Sequence, residues 1–235
     1  MTTGEGGFLK SKIWIGAAAA AAVLATGGCS GVLSSTSDDD GGRRPIAESE
    51  APKSGDAAKA RKQLKALAIA PKGPSSGYDR DKYGARWKDV DRNGCDTRND
   101  ILARDLVDEK KRGKCVVISG TLNDPYTGKT IKFTKSDAQA VQIDHVYPLS
   151  LSWKMGAKGW QEDKRERFAN DPDNLLAVDG PTNQAKGDSG PEAWRPRKAY
   201  QCAYAIRYVG VAAEYKLPIT RADQAALGQM LDTCK

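Results

Sequence analysis

The 235-residue chain contains a single histidine, His145, set in Ile143-Asp144-His145-Val146. Imidazole is the side chain whose ordinary pKa lies near neutrality, so a protein that needs a general base commonly uses a histidine for it. The adjoining Asp144 offers a hard carboxylate oxygen, and two asparagines follow, Asn174 in Asp173-Asn174-Leu175 and Asn183 in Asn183-Gln184-Ala185-Lys186. Each has an ordinary use alone: a lone histidine is often structural, and asparagines close turns and cap helices. As an ordered set, a carboxylate, an imidazole and an amide around one pocket could combine general-base hydrolysis with a divalent cation held by oxygen.

The set needs elements that bring its members together. Val141 to Ile143 suits a short strand by β-branching and alternation, and Leu175 to Val178 a second. Between them Ser150–Met155 and Trp160–Phe168 have helical character, with Trp160, Lys164 and Phe168 spaced to share a face. Gly180-Pro181 punctuates the chain, and Pro181 suits the first turn of a helix that would carry Asn183 and Lys186 one turn apart.

The longer string Asp144-His145-Val146, Pro148-Leu149, Trp153, Arg167-Phe168-Ala169-Asn170-Asp171, Asn174-Leu175, Asn183, Lys186-Gly187-Asp188 and Trp194 resembles the HNH nucleases. Within them it is similar to the branch typified by the C-terminal domain of GmrSD-type restriction enzymes. The resemblance covers about residues 140 to 200 strongly, and secreted members extend it back to near Tyr78. It implies an α+β fold: a ββα-metal core embedded in a mostly helical domain with a small β-hairpin. It also implies roles. Asp144 and the amide oxygen of Asn183 would bind one divalent ion, Mg²⁺ or Mn²⁺; His145 would deprotonate the attacking water; Asn174 would brace the loop orienting His145; and Lys186 would contact phosphate. Secreted relatives share a string like Cys95-Asp96-Thr97-Arg98, so Arg98 is a candidate catalytic guanidinium and Arg195 a candidate substrate contact. Ordinary solvated or ion-paired arginines are the competing reading for these two and for Arg86 and Arg197.

The rest of the chain supplies context. Lys10 and Lys12 precede an apolar run from Ile13 to Leu24, the length of a signal-peptide core, followed by Ala25-Thr26-Gly27-Gly28-Cys29. Small residues before a cysteine look like a lipobox, although Thr26 stands where leucine is usual. Residues 1–28 are therefore expected to be a lipoprotein-type signal, with Cys29 lipidated and the protein exported, anchored to the membrane facing outward or secreted. Residues 29–56, rich in Ser, Gly, Asp and Pro, are expected to be a disordered tether. Residues 57–77 would hold a helix and linker, and 78–235 the nuclease domain.

The remaining cysteines, Cys95, Cys115, Cys202 and Cys234, form an even set in an exported chain. Of three connectivities we expect Cys95–Cys115 and Cys202–Cys234, each bridging neighbouring elements. No Cys-x-x-Cys spacing supports zinc. Thr97–Lys110 looks helical, Cys115–Ser119 and Thr130–Phe133 look like strands joined through the turn Asn123–Gly128, and Cys202–Ala213 and Arg221–Leu231 look like helices, the latter capped by Thr220. The net charge of +7 suits a polyanionic partner. These features imply a metal-dependent endonuclease of low sequence specificity acting on DNA or RNA, with no protein partner indicated. The alternatives are a catalytically inactive nucleic-acid-binding envelope lipoprotein on the same scaffold and a disulfide-stapled envelope protein.

Overall fold

The computed structural model describes residues 54–235. The signal segment 1–28, Cys29 and all but the last three residues of the expected tether lie outside the described residues. Ser54 to Asp56 open helix α1 (Ser54–Ala66), which presents Ala60 and Leu64 to the core. It packs on the two last helices, α6 (Gln201–Tyr215) and α7 (Arg221–Leu231). Thr220 caps α7 as its position suggested, accepting a hydrogen bond from the Asp223 amide. Among the described residues, no helix is long and apolar enough to cross a membrane.

Among the described residues two small antiparallel sheets accompany the helices, so their fold is α+β. The first is a three-stranded meander of β1 (Leu106–Arg112), β2 (Val116–Asn123) and β3 (Thr130–Thr134). It replaces the small hairpin expected from sequence, because helix α2 (Thr97–Asp105) stops five residues before Lys110. The physical reason lies at the junction. Asp105 is buried, takes the Arg104 guanidinium and accepts the Ala177 amide, while Leu106 turns extended and pairs opposite Leu122. That tertiary pairing outweighs the weak helical preference of the charged run Asp108–Arg112.

The second sheet is the pair β4 (Val141–His145) and β5 (Leu175–Asp179), in register from Val141 opposite Asp179 to His145 opposite Leu175. Strand periodicity sends alternate residues to opposite faces, and both faces are covered. Val141, Ile143, Leu175 and Ala177 pack with Ile101, Leu102 and Phe133, whereas Leu176 and Val178 join the helical core around Tyr147, Phe168, Tyr204 and Tyr208. Between the strands run α3 (Leu149–Lys154) and α4 (Glu162–Ala169), and Trp160, Lys164 and Phe168 share a face as expected.

Helix α5 (Gly180–Lys186) starts directly at the end of β5, with Pro181 in its first turn and the Asp179 carboxylate capping the Thr182 amide. Gly180 is required there: a Cβ would fall on the carbonyl oxygen of Gln139, so α5 can sit against the loop before β4 only through a glycine. The two disulfides are Cys95–Cys115 and Cys202–Cys234, the expected connectivity. The first ties the loop before α2 to the start of β2, and the second ties α6 to the chain beyond α7.

Candidate active site

The end of β4, the start of α3 and one side of α5 enclose a cleft of about 350 Å³. Asp144 and His145 reach it from β4, and Asn183 reaches it from α5. Three of the residues singled out in the sequence therefore meet at one opening, and a strand pair followed at once by a helix is what brings them there.

His145 is only partly exposed, and its Nε2 lies 2.9 Å from the carbonyl oxygen of Ala169, at the end of α4. A carbonyl can only accept, so Nε2 carries the hydrogen and Nδ1 keeps the basic lone pair. Burial holds the imidazolium pKa down to about 3, and the Arg80 and Lys186 charges press in the same direction against the Ala169 hydrogen bond. The ring is consequently neutral at physiological pH.

Asn174 is wholly buried and does not face the cleft. Its Oδ1 accepts the Tyr147 amide at 2.8 Å, its Nδ2 donates to the Tyr147 carbonyl at 3.2 Å, and its own carbonyl accepts the Val146 amide at 2.8 Å. One asparagine thus mimics a strand partner for the two residues that follow His145, fixing the direction in which β4 leaves the sheet.

Asp144 is 5 % exposed, and both its oxygens are engaged. Oδ1 pairs with the Lys186 ammonium at 2.9 Å and Oδ2 accepts the Tyr126 hydroxyl at 2.5 Å. Burial pushes this carboxyl up from the ordinary range, while Lys186 and the Tyr126 hydrogen bond oppose it. A carboxylate has about four acceptor positions, so these contacts leave Asp144 acceptor capacity where it lines the cleft. Lys186 is 1 % exposed, and its second bond is to the His145 carbonyl at 2.9 Å, so it does not present its charge to the cleft.

Asn183 Nδ2 donates to Gln142 Oε1 at 3.0 Å, which turns Oδ1 away from that partner and frees it as an oxygen ligand. Among the described residues no group of three or more His, Cys, Asp or Glu is arranged to hold a metal. The oxygens of Asp144 and Asn183 nevertheless fit a hard cation that keeps several waters and takes one or two protein ligands.

Neither arginine favoured from sequence lies among the cleft-lining residues. Arg98 donates to the carbonyls of Ala138 and Val141 and lines a neighbouring cleft, and Arg195 donates to the Pro191 carbonyl and the Gln229 side chain. Arg80 and Arg86 occupy the cleft wall instead. Arg80 was not singled out in the sequence, since nothing in Asp79-Arg80-Asp81 distinguishes it from a surface residue. Tyr126 was likewise passed over inside an ordinary turn. Asp124 holds that turn by accepting the Tyr126 and Thr127 amides, and it reaches across to the Asp179 amide at 3.0 Å, docking the turn on the start of α5.

The chain is similar to known proteins over most of the described residues. The family described as GmrSD restriction endonucleases, C-terminal domain, matches residues 96–230. An "Uncharacterized secreted protein" of Arthroderma benhamiae is 41% identical over 186 residues, covering 78% of this chain and 88% of the relative. No solved structure matches the chain. From Asp96 before α2 to Met230 near the end of α7, the match spans both sheets and every residue of the Asp144–His145–Asn183 cluster, and the chain belongs to the family of GmrSD restriction endonuclease C-terminal domains.

Proposed function

We propose that this protein is a metal-dependent endonuclease of the HNH type, hydrolysing phosphodiester bonds of DNA or RNA with little sequence preference. One observation carries the reading: an imidazole with a free basic nitrogen shares a cleft with an aspartate and an asparagine oxygen, and the asparagine stands on the helix that directly follows the strand pair. In this reading β4, β5 and α5 are the ββα-metal core. Asp144 and Asn183 hold one Mg²⁺ or Mn²⁺, which when bound neutralises developing charge on the phosphoryl and leaving oxygens. His145 Nδ1 takes the proton of the attacking water while Nε2 remains tied to Ala169. Asn174 sets the direction of the chain after His145, Gln142 turns the Asn183 amide, and Lys186 with Tyr126 holds the Asp144 carboxylate in place. Lys186 acts here as a positioning residue rather than a phosphate contact.

Two disulfides and a relative titled as secreted support export to an oxidising compartment, and lipidation at Cys29 would add a membrane anchor. The test is cleavage of supercoiled plasmid by the oxidised protein with Mg²⁺ or Mn²⁺ and with EDTA, beside His145→Ala. Metal-dependent nicking that disappears in the variant is expected. Binding of nucleic acid without turnover under any of these conditions would instead favour the inactive binding protein on the same scaffold.

A further inference from the structure

A second cleft, of about 340 Å³, lies beside the catalytic one, and the two share Arg86 and Trp87 in their walls. Arg98 and Lys135 line this second cleft and not the first. Its carboxylate, Asp96, is already spent capping α2, with one oxygen on the Asn99 amide and the other on the Asn99 side chain. In the catalytic cleft, Arg80 has only the Gly84 carbonyl at 3.3 Å as a hydrogen-bond partner, and Arg86 has no hydrogen bond or ion pair among the described residues. Asp188, also in the catalytic cleft, is taken by Lys154 and Ser150. Cations unmatched by free carboxylates thus run from one cleft into the other.

Trp87 stands at their junction, partly exposed, its ring nearly parallel to that of His145 with centroids 6.3 Å apart. Its backbone is left-handed, at φ 57°, a conformation that costs a bulky residue about 1–3 kcal/mol and persists only where the surroundings impose it. Here the Trp87 carbonyl accepts the Thr97 amide, and the Lys88 carbonyl accepts the Thr97 hydroxyl. The start of α2 therefore fixes the backbone from which the Trp87 side chain lines both clefts.

We propose that one unpaired strand of nucleic acid crosses from the catalytic cleft into the second, with a base stacked on Trp87, a phosphate between Arg80 and Arg86, and the next phosphates on Arg98 and Lys135. An aromatic platform in a cationic groove recognises single strands, because every base offers a π-face and duplex bases are already stacked. This inference rests on the nuclease reading for the reaction, but binding can be measured apart from turnover.

The experiment is fluorescence anisotropy of a labelled oligothymidylate with the full protein in EDTA, using a duplex of equal length as comparison. Trp87→Ala is expected to weaken single-strand binding about tenfold or more while changing duplex binding little, with Trp87→Phe restoring most of it. Lys135→Glu, on an exposed residue outside the packed core, is expected to weaken single-strand binding several-fold and to flatten its salt dependence. Unchanged binding in Lys135→Glu, or equal losses of single strand and duplex in Trp87→Ala, would overturn the proposal. Failure of the nuclease reading would show elsewhere, as absent cleavage with metal, and would leave this binding pattern intact.

Discussion

At the scale of single residues, the site is governed by which groups are kept neutral and which charges are matched. His145 has a folded pKa of about 3 against an ordinary value near 6.5, so between those values the unfolded chain binds a proton that the folded protein refuses. The stability His145 contributes as a neutral ring is fully present above about pH 6.5 and is lost as pH falls toward about 3. In EDTA, wild-type unfolding free energy should include a loss of about 2 kcal/mol from this group between about pH 7 and about pH 5. His145→Gln should lack it, which paired urea melts at the two pH values will check. Lys186 is the complementary case. Removing it in Lys186→Ala leaves the Asp144 carboxylate buried without a counter-charge, at a cost of about 3–5 kcal/mol near neutral pH. Because protonation removes the stranded charge, the deficit should shrink in acid. A deficit that stays constant with pH would mean that lost packing, not the charge, is responsible.

At the scale of elements, the decisive unit is β4, β5 and α5 with the loop that returns between them. It was largely legible in the sequence: β-branched alternation marked Val141–Ile143, an apolar run marked Leu175–Val178, and Gly180-Pro181 marked the helix start, each a local signal. Asn174 was legible as a loop brace only through family resemblance, since its three bonds to Val146 and Tyr147 join residues far apart in the chain. The failures have the same origin. Leu106–Lys110 was taken as helix because its pairing with β2 and the burial of Asp105 are tertiary, and Arg80 and Tyr126 were missed because no spacing within the chain announces a cleft assembled from distant loops. The close seat of α5 yields a prediction at this scale. Gly180→Ala places a methyl group on the Gln139 carbonyl and must shift α5, and with it Asn183, away from β4. A destabilisation of about 1–3 kcal/mol is expected, as for overpacking elsewhere. Its signature should be a weakened Mn²⁺ affinity that Asn174→Ala, acting on the other side of His145, does not reproduce in proportion to its own stability loss.

At the scale of the whole molecule, the two disulfides close loops of similar length, with sequence separations of 20 and 32, so the chain-entropy argument gives each about 3–4 kcal/mol of stability. Their functional consequences should nevertheless diverge. Cys202–Cys234 joins α6 to the end of the chain, and neither α6 nor α7 contributes to the lining of either cleft. Cys95–Cys115 anchors the irregular loop that delivers Arg86 and Trp87 to both, a loop otherwise held mainly by Asp89 and Asp91 bonding the Asn93 and Gly94 amides and by Thr97. The pair Cys95→Ser/Cys115→Ser should therefore lose cleavage at temperatures where it is still folded, whereas Cys202→Ser/Cys234→Ser should keep its rate until it melts. Measuring plasmid cleavage and the thermal melt on the same samples separates the two behaviours. If the divergence holds, oxidation does more than staple a small domain: it completes the substrate groove, and the chain would reach full activity only where its disulfides can form. Full activity in a reduced but folded protein would remove that link between compartment and catalysis.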